Sequence, residues 1–334
     1  MESNVRNINI DKLKGFLIIC VIIGHAKNNI FSDNFDVYLF HIPLFLSCSI
    51  IFVKNFNFDL LKNRSLQILL PYIFWTITPP VFTIVYHPIN FINNFNLNLK
   101  NILMGNWFYL KSILWFLPTL FMTNILHSIF KFLKQRYKPY IITCLYFIIS
   151  FLTIFFNNWI THFHQLGFIP FGIDIYFYLF PLYIFNEYLF RNKIYLHFFL
   201  ILAFILISYL CLIYFEPIKN NSGYAHIIDL AQFTVPKTFL MYLCFLILNS
   251  SIFLIFLKIK KLNLLAVIGK YSFPIYLLHL IIYESVSKYI LSPNRGFLVS
   301  NLTFIFILFI IIFFSIIISK LLSRVSFYFK YIGL

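Results

Sequence analysis

Charge is scarce in this 334-residue chain. Asp, Glu, Lys and Arg make up 11% of it, with ten acidic residues in all, against 61% hydrophobic residues and a mean hydropathy of +0.87. That balance excludes an ordinary soluble domain. Cysteine motifs are lacking too: Cys20, Cys48, Cys144, Cys211 and Cys244 lie inside apolar runs with no CxxC or metal spacing. They read as reduced packing residues. No GxxxxGK(S/T), GxGxxG, HExxH or GxSxG string occurs, which counts against nucleotide hydrolysis, dinucleotide redox, zinc proteolysis and serine-hydrolase chemistry. An inverted internal repeat, common in secondary transporters, is also missing.

What the chain does have is apolar length. Phe (46) and Tyr (22) are abundant, and long apolar runs alternate with short polar links. The pattern predicts an all-α integral membrane protein of about ten transmembrane helices, at roughly 10–26, 37–53, 66–86, 112–130, 139–156, 168–186, 194–215, 236–257, 264–287 and 297–320. The sixth run is the most interrupted, by Pro170, Gly172, Asp174 and Pro181. The net charge of +16 does not point to nucleic acid, because the basic residues sit in small clusters between apolar runs. With the N-terminus inside, 19 of the 26 Lys and Arg fall on inner segments and 7 on outer ones. Both termini are therefore expected in the cytoplasm, at a bacterial inner (plasma) membrane. The first run reads as an uncleaved span, since Gly24-His25-Ala26-Lys27 offers no small-x-small cleavage site. The expected organisation is one transmembrane domain over 1–334 with no appended soluble domain.

The chemistry concentrates in Arg6 to Ser49, where two apolar runs carry His25 and His41 near their facing ends. Histidine at membrane depth is a functional hypothesis by default. From Asp11 to His25 is about 21 Å of helix at 1.5 Å per residue, which puts His25 in the outer half of the membrane. His41 opens the next helix at the same level, and Pro43 suits its first turn. Arg64 lies on the inner side, before the third span, and is either a positive-inside residue or part of an anion site. An acyl donor with a phosphorylated head and a long thin arm, such as acyl-coenzyme A, can bridge an inner cation and an outer histidine pair.

Arg6-x4-Asp11-x2-Lys14-Gly15, then Gly24-His25, then Phe40-His41-Ile42-Pro43-Leu44-Phe45 resembles the membrane acyltransferase-3 family, in particular its fucose 4-O-acetylase-like, polysaccharide O-acetyltransferase branch. Further matches are Arg64 with Leu70-Pro71-Tyr72, the run Leu114-Trp115-Phe116-Leu117-Pro118, and Ile268-Gly269-Lys270-Tyr271-Ser272 leading to Leu278-His279. They keep the family's order through almost the whole chain. Two departures fall in the histidine signature: Ile42 stands for Met, and Leu46-Ser47-Cys48-Ser49 replaces the usual F-x-S-G ending. The lost glycine touches helix packing rather than the histidines. Without the extracytoplasmic esterase-like domain of some relatives, such a chain delivers the acyl group to its acceptor itself.

The resemblance implies acetyl-CoA as donor, no metal, and a sugar hydroxyl of a surface polysaccharide (O-antigen, capsule or exopolysaccharide), or its lipid-linked precursor, as acceptor. His25 is the expected catalytic residue, as a general base or as the site of a transient acyl-imidazole. His41 orients it, contacts the acceptor or polarises the carbonyl, or else caps and packs a helix start. Arg64, Asp11 and Lys14 are the donor-binding candidates, Asp11 doubling as a salt-bridge partner of Arg6, Lys14 or Arg64. Trp115, Asp174, His279 and Glu284 are weaker acceptor or supporting candidates: Trp115 to stack on a sugar or to sit in an interfacial belt, the carboxylates to hold an imidazole or bind hydroxyls, and His279 to reach the outer pocket or fill the core. His162 and His164 read as surface, with no third ligand for a metal. The rival readings are a transporter or flippase of polysaccharide intermediates, and an acyltransferase using another group such as succinyl. Oligomeric state is not expressed in the sequence.

Overall fold

A computed structural model describes residues 7–25, 37–76, 113–156, 171–192, 197–215, 235–290 and 297–325. Among these the architecture is helical, without strands. Helix α1 spans Ile8–His25. A 3-10 turn, Val37–Leu39, leads into α2, His41–Ile50. Helix α3, Phe58–Arg64, passes through a π-turn at Ser65–Leu69 and stays helical to residue 76. Then come α4 (Phe116–Arg136), α5 (Pro139–Phe155), α6 (Ile173–Asn192), α7 (Phe198–Phe215), α8 (Val235–Lys258), α9 (Asn263–Lys270), α10 (Ser272–Ile290) and α11 (Phe297–Val325). The part of the expected third span beyond residue 76, Arg6, and the His162/His164 pair lie outside the described residues.

Three described helices are long and apolar enough to cross a membrane: Phe116–Arg136, Met241–Lys258 and Leu302–Leu321. A fourth is counted if the bent pair α9 and α10 forms one span. Shorter apolar helices cover Val37–Ile50, Pro139–Phe155 and Leu200–Leu212. Helices α5, α7 and α11 turn Phe151, Leu206 and Phe309 outward, which suits a lipid-facing surface because hydrocarbon imposes no penalty on exposed apolar side chains.

The expected ninth span is not one rod. It breaks at Tyr271, where α9 and α10 meet at 77°. Pro274 supplies the reason: its ring would clash with the Lys270 carbonyl of a continuous helix, whereas the first turn of a new helix accepts it. The sixth run begins later than expected, at Ile173, after Gly172 at φ +65°. A Cβ there would lie 2.7 Å from Thr119 Oγ1, so the left-handed turn and the neighbour both demand glycine.

Helix α1 is the axle of the bundle. Asn7 Oδ1 accepts from the Asn9 and Ile10 amides at 3.0 and 3.3 Å and caps its first turn. Lys12 is only 2% exposed and donates Nζ to the Ile259 and Lys260 carbonyls at 2.8 and 3.0 Å. It thus satisfies orphan carbonyls beyond the end of α8, a role its place among the inner basic residues does not reveal. One turn on, α1 and α9 cross at Gly15 and Gly269. A Cβ on Gly15 would fall on the Leu265 carbonyl, and one on Gly269 on the Asp11 carbonyl, so the two backbones touch directly.

Candidate functional site

The site is a cavity of about 200 Å³ lined by α1, α2, α4 and α10 and by the turns that carry Tyr38 and Trp115. Lys14, Val21 and His25 of α1 line it in order, about 16 Å apart end to end at 1.5 Å per residue. Between these ends its wall is apolar and aromatic, with Phe45, Phe116, Leu120 and Tyr276. Ser272 and Phe273, the first residues of α10, also face it. The break before α10 therefore puts a helix N-terminus, with its partial positive charge, on the wall of the cavity that Lys14 also lines.

His25, the last residue of α1, is half-buried. Tyr38 lies between it and His41, with its ring 6.3 Å from the His25 ring and 5.0 Å from the His41 ring. The Tyr38 hydroxyl donates to the Gly24 carbonyl at 2.8 Å, joining the end of α1 to the turn before α2. Gly24 leaves room for that ring, since a Cβ would come within 3.2 Å of it. His41 is 3% exposed, and its Nδ1–H donates to the Val37 carbonyl at 2.7 Å. A carbonyl only accepts, so the neutral His41 ring carries its lone pair on Nε2.

The expected residues divide between the cavity and its surroundings. His25, His41, Lys14 and Trp115 line it. His279 is buried behind His25, ring to ring at 5.3 Å, and does not line the cavity. Asp11 is buried one turn below Lys14 at the α1–α9 crossing. Arg64 is half-buried in the last turn of α3, where the π-turn begins, a type of distortion frequent at functional sites. Asp174 is buried in the first turn of α6. None of these three lines the cavity. Glu284 falls on α10, with its side chain outside the described ones. The cysteines among the described residues are free thiols, and no group of metal-ligating side chains occurs among those residues.

Ser49, standing where the resemblance expects glycine, is accommodated. Its hydroxyl donates to the Leu46 carbonyl at 2.7 Å, accepts from Asn124 Nδ2 at 3.2 Å and faces the cavity. Sequence reasoning passed over Tyr38 and Tyr276. It also passed over a charged cluster toward the end of α4 and α6. His127 Nε2–H donates to Glu187 Oε2 at 3.2 Å, and Lys131 and Arg191 reach Glu187 Oε1 at 3.0 and 2.6 Å. Lys131 also donates to the Val53 carbonyl at 2.9 Å, so the cluster ties α4 and α6 to the segment after α2. The signal was present as His and Lys four apart on one apolar run, and Glu and Arg four apart on another. Glu187→Gln removes the charge that all three donors share. It is expected to lower stability by about 1.5–3 kcal/mol, read as a lower melting temperature in detergent with little change in transfer per folded molecule.

The family described as "Acyltransferase domain", acyltransferase-3, matches residues 7–321. The chain belongs to this family. Two curated relatives are the nodulation proteins NolL of Mesorhizobium japonicum, 30% identical over 32% of this chain and 33% of that protein, and of Sinorhizobium fredii, 31% identical over 22% and 24%. The acyltransferase-3 chain thus aligns with a third or less of the length of each relative. No solved structure matches it.

Proposed function

We propose that this acyltransferase-3 protein is an inner-membrane O-acetyltransferase, with ten spans and both termini in the cytoplasm. It takes acetyl from cytoplasmic acetyl-CoA and passes it to a sugar hydroxyl of a surface polysaccharide or its lipid-linked precursor. One observation carries the reading: the same cavity is lined by Lys14 and by Ser272, the first residue of α10, and by His25 and His41, with about 16 Å of α1 between Lys14 and His25. The cationic end suits the phosphorylated part of the donor, helped by Arg64 from its half-buried position on α3. The apolar middle suits the thin arm of the thioester, and the histidine end meets the acceptor.

His25 takes the proton of the acceptor hydroxyl as its oxygen attacks the thioester carbonyl. The new C–O bond forms, the C–S bond breaks, and the thiolate recovers the proton from His25 to leave as CoA thiol. An acetyl-imidazole on His25 divides the same transfer into two steps. His41, with Nδ1–H committed to the Val37 carbonyl, holds its ring at the histidine end of the cavity, where it meets the acceptor. Trp115 offers a ring face for sugar stacking.

The test is thiol release by purified protein in lipid nanodiscs, with acetyl-CoA as donor and the cell's lipid-linked glycan fraction as acceptor, in the absence of any ion gradient. Acetyl appearing on the glycan is the expected result. Release with succinyl-CoA alone would assign another acyl group, and absence of any transfer alongside loss of glycan export in a deletion strain would overturn the enzyme reading.

A further inference from the structure

We infer that His279 is a positioning residue that fixes the tautomer of His25. The inference rests on the transfer chemistry just proposed. Helix α10 starts at Ser272, which lines the same cavity as Lys14, and carries the His279 ring to 5.3 Å from the His25 ring. His279 is 1% exposed, and its Nδ1–H donates to the Tyr276 carbonyl at 2.6 Å. Because that carbonyl only accepts, Nδ1 holds the ring proton and Nε2 is left as a bare acceptor. Nε2 is buried and has no hydrogen-bond partner among the described residues. A buried acceptor in that state carries a desolvation penalty that only a donor relieves. A protonated ring would bury an unpartnered cationic N–H, which costs more.

The nearest titratable ring is the donor it needs. The His25 and His279 rings lie 5.3 Å apart between centroids, inclined at 41°, and the terminal torsion of histidine turns over a broad well. Among the described residues His25 has no side-chain hydrogen bond of its own. A rotation of His25 directs one N–H at His279 Nε2 and leaves its other nitrogen, with the lone pair, facing the cavity. That is the form a general base requires. When His25 takes the acceptor's proton it becomes a cation, and the N–H shared with His279 strengthens at that moment. A hydrogen bond made stronger in the transition state than in the ground state accelerates the step. Catalytic hydrogen bonds are often loose before substrate binds, in keeping with the present separation.

Among the described side chains, the ring contacts of the pair are with tyrosines. Tyr276 lies one turn before His279, with ring centroids 6.0 Å apart, and Tyr38 lies edge-on to His25. The supporting acceptor is therefore a neutral imidazole, which holds the tautomer without adding negative charge to an apolar site.

The experiment compares His279→Leu, His279→Gln, His25→Ala and His25→Ala/His279→Leu in nanodiscs, with acetyl-CoA and the glycan fraction as substrates. His279→Leu is expected to lower kcat about 10²-fold with KM for acetyl-CoA unchanged, as loss of part of the general-base contribution requires. His279→Gln restores an acceptor oxygen and should recover at least 10-fold of that loss. In the double variant the His279 change should add nothing, because its partner is gone. Melting temperatures verify that each variant is folded. The inference is overturned if His279→Leu keeps kcat within about twofold, if Gln and Leu lose activity equally, or if the losses multiply in the double variant. A fully active His25→Ala would instead overturn the transfer mechanism itself.

Discussion

His25→Ala is expected to lower acyl transfer by about 10²–10⁴-fold, the range that general acid–base catalysis supplies, while the protein inserts and melts as the wild type does. The two halves of that expectation have separate grounds. His25 is half-buried at the end of α1, and α1 is held by the Asn7 cap, the Lys12 contacts and the Gly15–Gly269 crossing. None of these involves the imidazole, so folding should lose about 1 kcal/mol or less, the usual size for a substitution outside the contacts that hold a helix in place. Chemistry loses the one nitrogen base that lies on the cavity wall at the end of α1. Transfer near the wild-type rate in His25→Ala would show that the mechanism is wrong. Acyl label trapped on the peptide containing His25 would select the acyl-imidazole route, and its absence under rapid quenching the direct one.

The hairpin of α1 and α2 was legible because histidine, proline and helical rise act locally. Fourteen residues of helix separate Asp11 from His25 whatever the rest of the chain does, and both histidines line one cavity. Helix type was legible for the same reason, apolar runs of this length having few alternatives. What escaped depends on contacts distant in sequence. The run 264–287 is predominantly apolar on both sides of Tyr271, so hydropathy alone hides the break that Pro274 imposes. Lys12 looks like one more inner cation until the carbonyls of Ile259 and Lys260, some 247 residues away, are brought to it. His127 and Glu187 are 60 residues apart, and each alone is one ionisable group in an apolar run. Arg64 and Asp11 carried their charge into the prediction, but charge alone does not specify which side of a helix faces the cavity.

Gly269→Ala should be the most disruptive added methyl among the described glycines. A Cβ at this position overlaps the Asp11 carbonyl oxygen and would lie 2.7 Å from the Asp11 carbonyl carbon and 2.8 Å from the Gly15 amide nitrogen. All three are backbone atoms, so no rotamer change clears the space and α9 must move off α1. Overpacking of this kind costs about 1–3 kcal/mol and occasionally more, and the absence of a flexible neighbour argues for the upper end. The functional loss should be larger than the stability loss suggests. Helix α1 carries Lys14 and His25, while α9 leads directly into α10 with Ser272 and His279, so separating the helices pulls the two walls of the cavity apart. A misplacement of about 1 Å at a reacting group is worth about 10² in rate. Gly24→Ala is the matched control: the nearest atoms to its added methyl among the described residues belong to the Val37 and Tyr38 side chains, at 3.0 and 3.2 Å, and these can shift by tenths of an ångström. Measured together, Gly269→Ala should lower the melting temperature and reduce transfer about 10²-fold, whereas Gly24→Ala should stay within about 10-fold of wild type. Equal effects would show that the α1–α9 backbone contact does not set the cavity's geometry.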